Sequence, residues 1–217
     1  RYGVLINSGN IDSMVAHYAA AKKRRHDDAY SPGRKAGRRP DHATIVYSNR
    51  IREAYGDIPI ILGGLEASLR RFAHYDYWDD KIRRSLLVDS RADLLTYGMG
   101  ENILIRIAEL LDRGVPVKKI RDVRGTVYLG KRDDKVHYEV AAAFDFNELK
   151  TDKRKYAEAF GIQYKNQDSI NGQAIIEYYD DKMLVQNPPM PPLEREELDR
   201  VYSLPYMRDF HPSYIKD

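Results

Sequence analysis

Two glycine-bearing segments stand where backbone chemistry could meet a ligand. Gly63-Gly64 follows the apolar run Ile60-Ile61-Leu62, and Gly98-Met99-Gly100-Glu101 follows Leu94-Leu95-Thr96-Tyr97. In each, a short apolar run gives way to helical spacing, so the free N–H groups of a helix start face the end of a strand, which favours an anion. Glycine there serves either left-handed turn geometry or the close approach of a partner, and the residues leave both readings open. Neither segment has GxGxxG or the Lys-Ser/Thr ending of a phosphate loop, so neither fingerprint applies. Glu101 in a first helical turn complements the helix dipole whatever else it does. The expected ligand-facing set is therefore Gly63, Gly64, Gly98, Gly100 and Glu101.

The densest polar and aromatic cluster runs from Arg70 to Arg84. Arg70, Arg71, His74, Tyr75, Asp76, Trp78 and Asp79 are its candidate domain-interface residues, and Trp78 is the only tryptophan. A core is not built from such residues. They form either a surface ion-pair network capping the sheet or a face that docks on another part of the same polypeptide. His74 and Asp76, two residues apart, cannot share a helix face. His17, His26, His42, His137 and His211 are scattered, with no HExxH and no two-histidine-one-carboxylate spacing. No GxSxG is present, and the absence of cysteine excludes a thiolate nucleophile, disulfides and an iron-sulfur cluster held by this chain alone. A self-contained hydrolase is not expected.

The 217 residues suffice for one domain with an extension. Their net charge of +3 gives a weak global field. Locally, Lys22, Lys23, Arg24, Arg25, Arg34, Lys35, Arg38 and Arg39 crowd one segment, opposed by Asp27 and Asp28. Such a segment is a solvated mobile loop, or it attracts a polyanion such as RNA. No apolar run reaches membrane-spanning length and no leader pattern is seen, so a cytoplasmic location without membrane contact is the expectation. The start at Arg1, directly before Gly3-Val4-Leu5-Ile6, suggests a piece of something longer.

These residues need elements to position them. Tyr2 to Ile6 reads as a strand, followed by a helix with an Ile11, Met14, Val15, Tyr18 stripe capped by Asn10. Ala43 to Tyr47 is an apolar run, with Ser48-Asn49 capping a short helix over Arg50 to Tyr55. Ile58 to Leu62 and Leu94 to Tyr97 are strands feeding helices at Leu65 to Phe72 and Ile103 to Leu111, and Arg113-Gly114 stops the latter. Ser85 to Val88 is a short strand or a turn. Gly125 to Leu129 with Val136 to Val140 resembles an antiparallel hairpin, as does Ile175 to Tyr178 with Met183 to Val185. Asn147 to Phe160 has helical potential, and Asn187 to Pro192 reads as a stiff extended spacer. One short helix should follow Leu193, before Leu204-Pro205-Tyr206 and His211-Pro212-Ser213-Tyr214. The implied fold is α/β, a partial doubly wound parallel sheet over residues 1–115, with a small α+β extension over 116–192 and a linker over 193–217.

Several longer stretches resemble the YgiQ-like family of radical-SAM iron-sulfur proteins. They are Asn10 to Val15, Arg24-Arg25-His26-Asp27-Asp28-Ala29-Tyr30-Ser31-Pro32-Gly33, Tyr47 to Ala54, Gly63-Gly64-Leu65-Glu66-Ala67-Ser68-Leu69-Arg70-Arg71-Phe72, Tyr75 to Asp80 and Gln186-Asn187-Pro188-Pro189, with Leu204-Pro205-Tyr206 and His211-Pro212. The resemblance implies the region that precedes the CxxxCxxC-bearing barrel, including part of a cobalamin-binding-like domain. It implies a [4Fe-4S] cluster and S-adenosylmethionine for the full-length protein, with no cofactor in this stretch. Cobalamin-dependent relatives ligate cobalt through a DxHxxG histidine, a motif this sequence lacks, which argues against cobalamin here. The expected role is an amino-terminal accessory region that covers or organises a catalytic barrel of the same polypeptide. The competing classes are a polyanion-binding module using Lys22 to Arg39 and a structural dimerisation domain in which a second copy pairs with a bare sheet edge.

Overall fold

In the computed structural model, the described residues are 3–209, Pro212 and Ile215. Tyr2, at the start of the first expected strand, and His211, Ser213 and Tyr214 of the last motif lie outside them.

The described residues form a seven-stranded open sheet in the order β1-β2-β5-β6-β9-β8-β7, and a separate two-stranded ribbon of β3 (His74–Asp76) and β4 (Lys81–Arg83). Strands β1 (Val4–Ile6), β2 (Ile60–Leu62) and β5 (Leu94–Thr96) are mutually parallel, with Leu5 opposite Ile61 and Leu62 opposite Leu95. The two glycine-ended runs are therefore neighbours. From β6 (Thr126–Lys131) onward the sheet is mixed: β6 is antiparallel to β5 and to β9 (Lys182–Gln186), and β8 (Ala174–Tyr179) is antiparallel to β9. At the far edge, β7 (Val140–Asp145) runs parallel to β8.

Side chains alternate between two buried faces, which is why the central strands read as continuous apolar runs. On one face Ile60, Leu62, Leu95, Val127, Ile175 and Leu184 pack with Ala67, Phe72, Leu86 and Leu87. These come from α3 (Gly64–Leu69), the segment after it, and α4 (Leu86–Asp89). On the other face Ile61, Leu94, Tyr128, Ile176, Met183 and Val185 meet Ile103 and Ile107 of α5 (Glu101–Asp112), with Val117, Ile120 and Val123. Helices α6 (Phe146–Thr151) and α7 (Lys153–Lys165) cover the β7-β8 side of the first face through Phe146 and Ile162.

Several elements differ from the sequence reading. Helix α1 (Ser13–His17) is capped by Asp12, which accepts from Met14 N and Val15 N, so Asn10 is not the cap. Residues Ala43–Tyr55 form one helix, α2, because Ser48 turns inward to donate to Ser90 O at 2.6 Å instead of capping a second helix. Ser85 caps the short helix α4 through Leu87 N, so 85–88 is not a strand. The expected 125–140 hairpin does not form: β6 is central, between β5 and β9, whereas β7 starts at Val140 and pairs with β8. The 175–185 hairpin forms as expected. Asn187 and Pro188 are no spacer. Both are buried, Asn187 Nδ2 donates to Arg121 O, Val123 O and Thr126 Oγ1, and Pro188 O accepts from Gly125 N. The sheet runs uninterrupted past residue 115. The last helix, α8 (Arg195–Tyr202), is tied to α5 by a 2.9 Å bond from Asn102 Nδ2 to Glu197 Oε1.

Candidate functional site: the carboxyl rim of the parallel strands

The carboxyl ends of β1, β2 and β5 place Asn7, Gly63-Gly64 and Tyr97-Gly98 on one rim, the edge where open α/β sheets bind ligands. Local packing accounts for one glycine directly. Gly64 has φ +80°, and a Cβ there would stand 3.0 Å from Asn7 Cβ. Gly63 is extended, its N–H donates to Ile6 O, and an added Cβ would meet Thr96 Oγ1 at 3.0 Å. Gly98, at φ +74°, has nothing within 4 Å of such a position, and Gly100 starts α5 without a side-chain cap. Glu101 stands in the first turn of α5, where its buried Oε2 has no hydrogen-bond partner among the described residues. The candidate ligand-facing glycines thus share one rim, with exposed Leu65, Leu69 and Met99 beside them.

Beside the rim lies Arg71. Its Nε donates to Gln186 Oε1 and its Nη1 to Ser68 O, both at 2.5 Å. Its guanidinium lies 4.9 Å from the centroid of the Tyr97 ring and 5.7 Å from that of Phe72. Burial pulls its pKa down, opposed by Tyr97. Tyr97 is itself buried, donates to Asn187 O at 2.5 Å, and has its phenol pKa pushed well up by burial.

Behind the rim, a buried acid-base frame fixes three helices. Arg70 grips Asp12 with two bonds, Nε to Oδ2 at 2.7 Å and Nη2 to Oδ1 at 3.0 Å. Glu66, fully buried, accepts from Ser13 N at 2.7 Å and Thr44 N at 3.1 Å. These bonds clamp the starts of α1 and α2 onto α3. A satisfied buried network of this kind holds geometry.

Of the remaining interface candidates, His74, Tyr75 and Asp76 form β3 (His74–Asp76), which pairs with β4 (Lys81–Arg83). Asp76 is 1% exposed and accepts from Trp78 N, Asp79 N and Arg83 Nε. Its carboxyl is held below the usual range by these bonds against the opposing effect of burial. Asp79 pairs with Lys81 and Arg83, and Tyr75 OH donates to Asp80. Trp78 packs its ring against Tyr18 and Tyr77, with Nε1 buried and without a partner among the described residues. His74 Nδ1 meets Phe72 O at 3.1 Å, and burial lowers its pKa to about 4. Arg70 leaves the cluster for Asp12 and Arg71 leaves it for Gln186, so the structure divides what the sequence grouped. A surface cavity of about 730 Å³ is lined by Arg83, Arg84, Phe146, Lys150 and Tyr179.

The basic segment is an ordered excursion rather than a free loop. Arg39 holds Asp28 at 2.7 and 3.0 Å and reaches Ser8 O at 3.1 Å, so it ties the segment to the β1 exit. Asp41 accepts from Tyr18 OH at 2.6 Å, lies 2.8 Å from His17 Nδ1 and pairs with Arg24. Lys23, Arg25, Lys35 and Arg38 face outward.

The sequence reading missed Gln186, Glu66 and Glu177 as individually placed groups. For Glu177 a signal existed: on β8 it shares inward parity with Ile175 and Tyr179, so a carboxylate had to enter the core there. Gln186 and Glu66 lie within stretches that carried the family resemblance, but their partners are far away in sequence.

An iron-sulfur cluster does not fit this chain's donors. The sequence has no cysteine, and among the described residues no group of three His, Asp or Glu side chains converges to hold a metal. No helix among them is long and apolar enough to cross a membrane.

The described residues thus form a mixed α/β sheet whose parallel strands β1, β2 and β5 end on one glycine-bearing rim, backed by the Asp12, Glu66 and Arg70 frame. This chain belongs to the Radical SAM N-terminal family, the match covering residues 1–217. A UPF0313 protein of Clostridium botulinum (strain 657 / Type Ba4) is 56% identical over 214 residues, covering 99% of this chain and 33% of the relative. A UPF0313 protein of Clostridium perfringens (strain ATCC 13124) is 52% identical over 217 residues, covering 100% of this chain and 33% of the relative. The chain thus spans 33% of the length of these curated relatives. No solved structure matches it.

Proposed function

We propose that this chain is the accessory α/β region of a YgiQ-like radical-SAM protein, with the carboxyl rim of β1, β2 and β5 turned toward a catalytic barrel of the same polypeptide. The observation that carries this reading is the rim itself. It combines exposed backbone at Gly64 and Gly98 with exposed Leu65, Leu69 and Met99, while the acid-base frame of Asp12, Glu66 and Arg70 holds it from behind. Apolar side chains left on an otherwise polar surface mark a face that is covered by something. The cluster and S-adenosylmethionine belong to the barrel, whose cysteines this chain does not contribute. The strand-helix order of the first half is what likens it to a cobalamin-binding domain, and the sequence from residue 193 on is read as the linker to the barrel.

The test sets this chain beside the full-length polypeptide. Both are reconstituted anaerobically with iron and sulfide, then assayed for bound iron and for reductive cleavage of S-adenosylmethionine. The proposal expects a cluster and cleavage in the full-length protein, and neither in the 217 residues. A cluster on this chain, or a full-length protein that binds no cluster, overturns it.

A further inference from the structure

Arginine removed from water is ordinarily matched by a carboxylate or phosphate, because an unmatched guanidinium forfeits hydration without return. The neighbours of Arg71 follow that rule: Arg70 has Asp12, Arg39 has Asp28, Arg52 has Asp93 and Arg83 has Asp76. Arg71 has no acid partner among the described residues; Arg124, the other half-buried arginine without one, spends both its Nε and its Nη2 on main-chain carbonyls. The acceptors of Arg71 are neutral, an amide oxygen and a main-chain carbonyl, and its Nη2 makes no hydrogen bond among the described residues.

The side chain that answers it is equally incomplete. Gln186 is 0% exposed, and its Oε1 must be the atom facing Arg71, because a guanidinium only donates. That assignment fixes Nε2 on the other branch of the same amide, where it has no partner among the described residues. Two unused donors, Arg71 Nη2 and Gln186 Nε2, therefore belong to side chains joined by a 2.5 Å bond. The aromatic rings of Tyr97 and Phe72 hold the guanidinium in place. Two unspent donors on joined side chains, one charged and with aromatic rings against it, have the chemistry that recognises a carboxylate.

We propose that Arg71 and Gln186 form a carboxylate receptor beside the strand-end rim, filled in the working protein by a carboxylate that this chain does not supply. The inference deepens the accessory-region reading, and rests on it only for where the carboxylate comes from. A side chain of the catalytic unit and a small carboxylic acid held between the two units present the same group to Arg71.

The receptor is tested on this chain with acetate as the probe, at constant ionic strength against chloride. The side-chain Nε–H signals of Arg71 and of Arg195, whose side chain is 94% exposed, are followed by NMR. Arg71 should shift saturably, with half-saturation at least about tenfold below that of Arg195, as two directed donors and a desolvated charge require. Equal responses at the two arginines overturn the proposal, and so does a site saturated by phosphate but not by acetate. Gln186→Glu gives a second readout, because it supplies an internal carboxylate. That variant should lose the acetate response and melt no lower than the parent, whereas an undiminished acetate response in it counts against the receptor. Repeating the titration on the full-length polypeptide, with 15N confined to arginine, separates the sources. An Arg71 signal already at its saturated position indicates a protein carboxylate, and one that still titrates indicates a small acid. If the isolated chain responds but a separately expressed catalytic part does not bind it, the receptor stands and the accessory reading falls.

Discussion

Glu177 offers the sharpest test of how this fold is assembled. Its carboxyl is 0% exposed, accepts Ala73 N at 2.9 Å on Oε1 and 3.2 Å on Oε2, and receives the Tyr179 hydroxyl on Oε1. Tyr179 OH in turn accepts from Ser85 N at 2.8 Å, so one acid fastens both the segment after α3 and the start of α4 to the sheet. No cation pairs with it among the described residues. Burial pushes its pKa from 4.5 up to about 7, with the Tyr179 and Ala73 bonds opposing the rise. A raised folded-state value means that the native protein holds a proton which the unfolded chain releases. The group therefore leaves stability intact below pH 4.5 and subtracts from it as pH climbs to about 7. At about 1.4 kcal/mol per pH unit of pKa difference, the loss totals about 3 kcal/mol above neutrality. Glu177→Gln keeps the Oε1 acceptor and cannot ionise. Urea unfolding at pH 4.5, 5.5, 6.5 and 8 should show the variant gaining on the parent as pH rises, from near parity to an advantage of about 3 kcal/mol. A pH-independent difference, or a variant that is less stable at pH 8, would refute the burial argument.

Four further outcomes follow from the same geometry. His74 should stay neutral on acidification, with an imidazole titration midpoint near 4 by NMR, because burial opposes its charging. Since that value is depressed below 6.5, its contribution to stability is full above pH 6.5 and is lost as pH falls toward 4. Asp12→Asn removes the charge that Arg70 grips at 2.7 Å and should cost about 3–5 kcal/mol in urea unfolding at pH 7. Gly64→Ala forces a Cβ into φ +80° and to 3.0 Å from Asn7 Cβ, costing about 1–2 kcal/mol for the left-handed backbone alone. Asn7→Gly should recover only the part due to the clash. Ser48→Ala leaves the buried Ser90 carbonyl without its 2.6 Å donor and should cost about 1–3 kcal/mol, locating α2 as one helix.

What could be read from the residues was local. The runs ending at Gly63-Gly64 and at Gly98 identified two strands handing over to helices, and they do lie side by side in parallel. The 175–185 hairpin was equally legible, because its turn joins strands that are neighbours both in sequence and in space. The 125–140 hairpin failed for the complementary reason. A charged turn between two apolar runs signals a hairpin only if the strands stay together, and here β9 takes the place beside β6 while β7 goes to the far edge. The Ser48-Asn49 cap was misread at α2, where Ile45, Tyr47 and Ile51 pack on the sheet core along one helix and Ser48 turns inward to Ser90 O. At the candidate site, the glycines were visible and their neighbours were not. Arg71 and Gln186 are separated by 115 positions, and Asp12 and Arg70 by 58, so nothing in spacing could pair them. The want of a carboxylate at Arg71 was invisible for the same reason, because its partners Gln186 and Ser68 are set by the fold.

The central claim, that the strand-end rim is a covered face in the full-length polypeptide, is tested most directly by amide hydrogen exchange. Residues 63–65 and 97–100 are followed in this chain alone and in the full-length protein, with the exposed end of α7 near Tyr164 as the reference. The account predicts that exchange at the rim slows at least about tenfold in the full-length protein while the reference is unchanged. Equal exchange at the rim in the two forms would contradict it.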